Sequence, residues 1–222
     1  IGLGIGAGVL VGFVNGLVTT YLRINSLIAT LATSFVISGI ASRITKGNLL
    51  VLFDNHAFGS LARTEFLTVK TSIWLMVVAV ILLGIVLART TAGRYMYAAG
   101  GNAEAARLAG VRVDAVRIRT FVLSGGAAGL AGVIDASRVL SASASAETTS
   151  LAFTVLAGIV VGGTSILGGD GAVWRSVVGV LFIALIGTGY ILLGLDPLYE
   201  QITLGLILIA AVGLDAFARR RN

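Results

Sequence analysis

The chain is a succession of apolar runs, each about as long as a bilayer is thick, separated by short polar stretches. A helix that spans the hydrocarbon core takes about 20 mostly apolar residues, because each residue rises only about 1.5 Å. Six runs qualify: 1–22, 27–41, 72–87, 118–134, 173–195 and 202–218. A seventh, 151–167, is apolar but glycine-rich toward its end, and reads as either a full span or a re-entrant segment buried in protein. Charged residues make up only 12% of the chain and hydrophobic ones 57%. Soluble domains carry about 25% charged residues, so lipid is the main solvent here. The fold class that follows is all-α, a polytopic transmembrane helical bundle of about seven membrane segments.

Basic residues orient such a bundle, since lysine and arginine concentrate on the cytoplasmic side. Arg89, Arg94, Arg107, Arg112, Arg117 and Arg119 all fall between the third and fourth runs. With that segment inside, alternation over seven spans places Arg23, Arg175, Arg219, Arg220 and Arg221 inside too. Eleven basic residues then lie inside and five outside (Arg43, Lys46, Arg63, Lys70 and Arg138), with a cytoplasmic C-terminus.

Several chemistries have little to build on. There is no cysteine, which removes disulfides, thiolate metal sites and cysteine nucleophiles. The single histidine, His56, sits beside Asp54 and Asn55 in the longest external loop, 43–71, and reads as a solvated residue, not a metal ligand. No catalytic group and no metal site is expected. The net charge of +6 comes from the ends of apolar runs, not from one basic face with interleaved aromatics, so nucleic acid is not an expected partner. The chain opens at Ile1 within an apolar run, without the charged start of a signal peptide. It reads as a fragment lacking N-terminal spans.

Glycines recur at every fourth position in the first run: Gly4, Gly8, Gly12 and Gly16. Gly125 and Gly129 repeat the spacing, as do Gly158 and Gly162. In lipid, helices associate through close backbone approach, which glycine permits. These positions are therefore expected to pack helices within the bundle, or to form a dimer seam along the first run. Polar residues inside the runs are few, among them Asn15, Thr30, Thr33, Ser124 and Thr154, the candidates for lining a solute path. No carboxylate or histidine lies deep in a run, which weakens proton-driven transport.

The arginine-rich stretch 89–119 has its own local signals. Asn102 suits a helix N-cap, 103–109 are mostly strong helix formers, and Gly110 suits the position past the last turn. The spacing predicts a helix of about two turns, roughly 10 Å long. Such a helix either accepts a partner on its small-residue face or belongs to a solvated loop whose arginines set topology.

A resemblance favours the first. The sequence from Gly93-Arg94-Tyr95 through Gly101-Asn102-Ala103-Glu104-Ala105-Ala106-Arg107-Leu108-Ala109-Gly110-Val111 resembles the cytoplasmic coupling segment of ribose-type ABC sugar permeases. Val122-Leu123-Ser124-Gly125-Gly126 through Gly132, with Ala136-Ser137-Arg138, is similar to the same family. So are Gly12-Phe13-Val14-Asn15-Gly16, Ile28-Ala29-Thr30-Leu31-Ala32-Thr33, and Gly162-Gly163-Thr164-Ser165-Ile166-Leu167-Gly168-Gly169-Asp170-Gly171. Together they cover nearly the whole chain in the family's order. This chain departs from the family at Ala152 and Thr154, where an acidic pair is common, and near Asn25-Ser26, where a proline is usual. Family chains are also about half as long again, with extra spans at the N-terminus.

The resemblance implies one transmembrane permease domain over 1–222 in a bacterial cytoplasmic membrane, with 89–119 as its coupling segment. It further implies a second permease subunit, two cytoplasmic ABC ATPase subunits and an external solute-binding protein. Gly93, Arg94, Gly101, Asn102, Glu104, Ala105, Ala106, Leu108 and Gly110 then form the coupling site. The chain has no P-loop, since Thr45 precedes Lys46 and Val69 precedes Lys70, so ATP and magnesium belong to the partner and this chain is not an enzyme. The solute is expected to be a simple sugar. A branched-chain amino acid, a nucleoside or a signalling molecule is the alternative within the class, and a channel or carrier without an ATPase lies outside it.

Overall fold

The structure, a computed structural model, describes residues 1–51, 56–66, 68–144, 148–165 and 168–220. In chain order its elements are α1 (Gly2–Tyr21), α2 (Ser26–Thr45), β1 (Leu50–Val51), α3 (His56–Arg63), β2 (Glu65–Phe66), β3 (Val69–Lys70), α4 (Thr71–Arg89) and α5 (Thr91–Gly101). They continue with α6 (Ala103–Leu108), α7 (Val113–Val139), β4 (Ser141–Ala142), α8 (Thr148–Val161), α9 (Val173–Leu192) and α10 (Pro197–Arg220). Among the described residues five helices, α1, α2, α4, α7 and α9, are long and apolar enough to cross a membrane. The runs expected at 151–167 and 202–218 fall in α8 and α10, whose apolar stretches among the described residues are Ser150–Val161 and Leu198–Gly213. The protein is thus an all-α, multi-pass membrane protein.

Large apolar side chains face outward all along these helices. Leu3 is 92% exposed and Ile209 is 72% exposed, and α4 has no buried residue. In water that surface would be costly, whereas against hydrocarbon it is not.

Two boundaries differ from the hydropathy reading. α7 runs 27 residues, about 40 Å at 1.5 Å per residue, against about 30 Å of hydrocarbon. Hydropathy marks only its lipid-embedded middle, while the helix continues into the polar zone with Asp114 in its first turn, where a negative charge suits the helix dipole. The region expected as an external loop, 43–71, holds β1, α3 and an antiparallel β2–β3 hairpin. His56 opens α3, and Asp54 and Asn55 lie outside the described residues.

The contacts group the chain into two compact units, Ile1–Ile81 with Gly110–Thr148, and Leu82–Ala109 with Thr149–Asn222. The 89–119 segment, read from sequence as one piece, is thereby shared between them.

In the first unit α1 lies against α7. A methyl group added at Gly8 would run into the Gly125 carbonyl oxygen and come within 2.9 Å of Gly129 Cα. At Gly12 it would run into the Phe121 carbonyl, at Gly16 it would come within 3.0 Å of Ile118 Cα, and at Gly4 within 2.5 Å of a Val133 methyl. Rising numbers in α1 meet falling numbers in α7, so the helices are antiparallel. At the far end of α7 the Ser137 hydroxyl donates to the Phe58 carbonyl (2.6 Å) and the Arg63 guanidinium donates to the Arg138 carbonyl (3.2 Å). β1 pairs with β4 in antiparallel register, Leu50 opposite Ala142 and Val51 opposite Ser141.

In the second unit glycine again sets the closest approach. A methyl at Gly158 would come within 2.9 Å of Val180 Cα, and one at Gly162 would run into the Arg175 carbonyl. α9 meets α10 through Tyr190, whose hydroxyl shares a 2.6 Å hydrogen bond with Thr203.

Candidate functional site

The α4–α6 region turns twice within about twenty residues, and each turn has a local cause. At the first, the Thr90 hydroxyl donates to the Val86 carbonyl (2.5 Å) and accepts from the Gly93 amide (3.2 Å). Gly93 is buried, and a methyl there would run into the Leu87 carbonyl. Only a residue without Cβ lets α5 fold so sharply off the end of α4.

The second turn is made by Asn102. Its amide donates to the Ala98 carbonyl (3.1 Å) and closes α5, while its Oδ1 accepts from the Ala105 amide (3.0 Å) and opens α6. Its backbone is extended, with φ −150° and ψ 99°, as an N-cap residue requires. α6 has six residues, about 9 Å. It ends where the Ala109 amide returns to the Ala105 carbonyl, and Gly110 follows with φ +82°. Ala106 is buried, whereas Glu104 and Ala105 are exposed and Leu108 is 86% exposed. Arg94 and Gly101 are also exposed. Of the nine residues expected to couple, Gly93 thus forms a corner, Asn102 and Gly110 bound the short helix, and Leu108 is its bare apolar tip.

The chain between α8 and α9 meets this segment. A methyl at Gly100 would come within 2.8 Å of the Gly169 amide nitrogen, and one at Gly169 within 2.7 Å of Gly101 Cα. The Tyr97 hydroxyl donates to the Gly171 carbonyl (2.5 Å). α5 and Tyr97 were not singled out from sequence. Gly93, Gly100 and Gly101 each disfavour a helix by about 1 kcal/mol, and the contacts that hold Gly100 and Gly101 come from residues distant in the chain.

The polar residues expected on a solute path differ in their surroundings. Thr30 donates to the Ser26 carbonyl, Thr33 to that of Ala29 and Thr154 to that of Ser150, each at 2.9 Å within its own helix. Ser124 is exposed. Asn15 is 8% exposed and its Oδ1 has no hydrogen-bond partner, as is also true of the buried Thr20 hydroxyl. Glu200 was missed by the sequence reading: its carboxylate lies where a Cβ of Gly187 would be only 2.7 Å from Oε1. The signal available was Pro197, a residue suited to the first turn of a helix, which starts α10 five residues ahead of the apolar run. Among the described residues no group of three or more His, Asp or Glu side chains is placed to hold a metal ion.

The architecture, several glycine-packed apolar helices with a short capped helix between the third and fourth long ones, fits the resemblance noted in the sequence. The family described as branched-chain amino acid transport system / permease component matches residues 1–212. The chain belongs to this family. Among permease relatives, the chain is 39% identical over 209 residues to the L-arabinose transport system permease protein AraH of Escherichia coli (strain K12), covering 93% of this chain and 62% of that protein. It is 37% identical over 224 residues to the L-arabinose ABC transporter permease protein AraH of Azospirillum brasilense, covering 99% and 66%. It is 37% identical over 202 residues to the ribose import permease protein RbsC of Bacillus subtilis (strain 168), covering 90% and 62%. The chain therefore spans a little under two thirds of the length of these permeases. No solved structure matches it.

Proposed function

We propose that this chain is the membrane-embedded part of a permease subunit in an ATP-binding-cassette importer for a simple sugar, working in a bacterial cytoplasmic membrane. The observation that carries the reading is the match along nearly the whole chain to permeases named for L-arabinose and ribose. α6 supplies the physical counterpart: a helix capped at both ends that leaves Leu108 uncovered. In this reading two cytoplasmic ATPase subunits bind and hydrolyse ATP, and α6 docks on one of them. A second permease subunit completes the pathway, and an external binding protein delivers the sugar.

Seven membrane segments are part of the proposal. Gly100 and Gly101 lie against Gly168 and Gly169, and in this topology all four share the cytoplasmic side. The chain between them then leaves along α7, which is long enough to cross, and returns along α8. That supports a crossing α8 over a re-entrant one. α8 has 14 residues, about 21 Å, and after it Gly163, Thr164 and Asp170 bond to α9 while Gly168, Gly169 and Gly171 lie against α5.

The full-length protein, purified from its native membranes in mild detergent, is expected to bring with it a P-loop ATPase. Reconstituted with that ATPase and the binding protein, it should accumulate labelled pentose only when ATP is supplied. Uptake without any ATPase would overturn the assignment. Uptake of leucine or valine in place of pentose would keep the class and move the solute to the one in the family's description.

A further inference from the structure

The connection between α8 and α9 is held at both of its ends. Toward α9, the Arg175 guanidinium makes a 2.9 Å ion pair with Asp170 and donates to the Gly163 carbonyl at 3.3 Å. The Thr164 and Ser176 hydroxyls share a 3.0 Å hydrogen bond. Within the connection, the Ser165 amide donates to the Asp170 carbonyl (3.0 Å) and the Thr164 amide to that of Ile159 (3.1 Å). Toward α5, Gly168 and Gly169 adopt φ of +94° and +82° and touch Gly100 and Gly101 backbone to backbone, beside the Tyr97 bond to Gly171.

Two features make this contact a transmitting one. Backbone against backbone leaves no side chain that could change rotamer and absorb a displacement. Asn102, the next residue after Gly101, is the one that starts α6. A push on α6 therefore reaches the 168–171 strand of chain within a single residue, and from there reaches α9 through Asp170 and Arg175. α9 is in turn locked to α8 at Gly158, Gly162 and Gly179, where any Cβ would overlap the opposite backbone.

We propose that Tyr97, Gly100 and Gly101, clasped to Gly168, Gly169 and Gly171, relay the movement of α6 into the α8–α9 pair. These are positioning residues, and the inference rests on α6 being the ATPase-docking helix. The test uses the full-length protein with its ATPase and binding protein in proteoliposomes, reading sugar accumulated per ATP hydrolysed. Tyr97→Phe removes one hydrogen bond at constant shape and is expected to lower that ratio about fivefold, the factor that one hydrogen bond commands. Gly100→Ala is expected to lower it further, with ATP hydrolysis and ATPase association retained in both variants. Ala105→Glu, at an exposed position of α6, serves as the docking control, with loss of ATPase association expected. An unchanged ratio in Tyr97→Phe alongside a defective Ala105→Glu would overturn the relay alone. Full association and full uptake in Ala105→Glu would overturn the docking assignment instead. Should Gly100→Ala fail to insert, Tyr97→Phe decides the matter.

Discussion

Asn102 serves two helices at once, closing α5 with its amide and opening α6 with its side chain. Asn102→Ala removes the cap, worth about 1 kcal/mol, and is expected to fray α6 and reduce coupled uptake while leaving membrane insertion intact. Gly110, at φ +82°, is the second local constraint. A Gly110→Val substitution forces a β-branched residue into the left-handed region at a cost of about 1–2 kcal/mol, and should lower the yield of copurified ATPase. Asn15 is a different case, because its buried Oδ1 has no partner. An unsatisfied buried polar atom costs about 1–3 kcal/mol, so Asn15→Leu should match or exceed the parent protein in thermal stability in detergent. A fall in uptake in that same variant is expected if Asn15 contacts the solute. Asn102 and Gly110 were legible in the sequence because a cap is written in residues two to four positions apart. Tyr97 was not, because its partner Gly171 lies 74 positions away and nothing near Tyr97 points to it.

At the level of elements, the seam between α1 and α7 is the clearest determinant of packing. Gly8→Leu would drive a side chain into the Gly125 carbonyl, whereas nothing lies within 4 Å of a Cβ at Gly6. Overpacking of this kind typically costs about 1–3 kcal/mol. Gly8→Leu is therefore expected to lower the unfolding temperature in detergent clearly, and Gly6→Leu hardly at all; equal effects would contradict the seam. The four-residue glycine spacing told from sequence which face of α1 is smooth. It did not name the partner, because Gly125 and Gly129 on α7 and Gly158 and Gly162 on α8 carry the same spacing. α7 and α10 also extend beyond their apolar runs, since hydropathy reports the lipid-embedded part of a helix and hydrogen bonding decides where the helix ends. The loop read at 43–71 contains α3, which Phe58 and Arg63 tie to the end of α7, and the β2–β3 hairpin.

For the molecule as a whole, the seven-span topology we propose, with eleven basic residues inside, requires 100–101 and 168–169, the glycine pairs that touch, to lie on the cytoplasmic side. The absence of cysteine from these 222 residues makes this testable by single-cysteine labelling in the full-length protein, with any cysteine outside this segment replaced by serine. Ala105→Cys and Ala172→Cys should react only from the cytoplasmic side, and Asn48→Cys and Leu193→Cys only from outside. Labelling of Ala172→Cys from outside would make α8 re-entrant. The broader claim is that this membrane segment is moved by an ATPase seated on α6. A photo-cross-linking amino acid in place of Leu108, the exposed tip of that helix, tests it in intact cells producing the full-length protein. The expected product is a covalent adduct with a P-loop ATPase, lost when Ala105→Glu is added at the exposed face of α6. Adducts with lipid or with an external protein, and none with an ATPase, would contradict it.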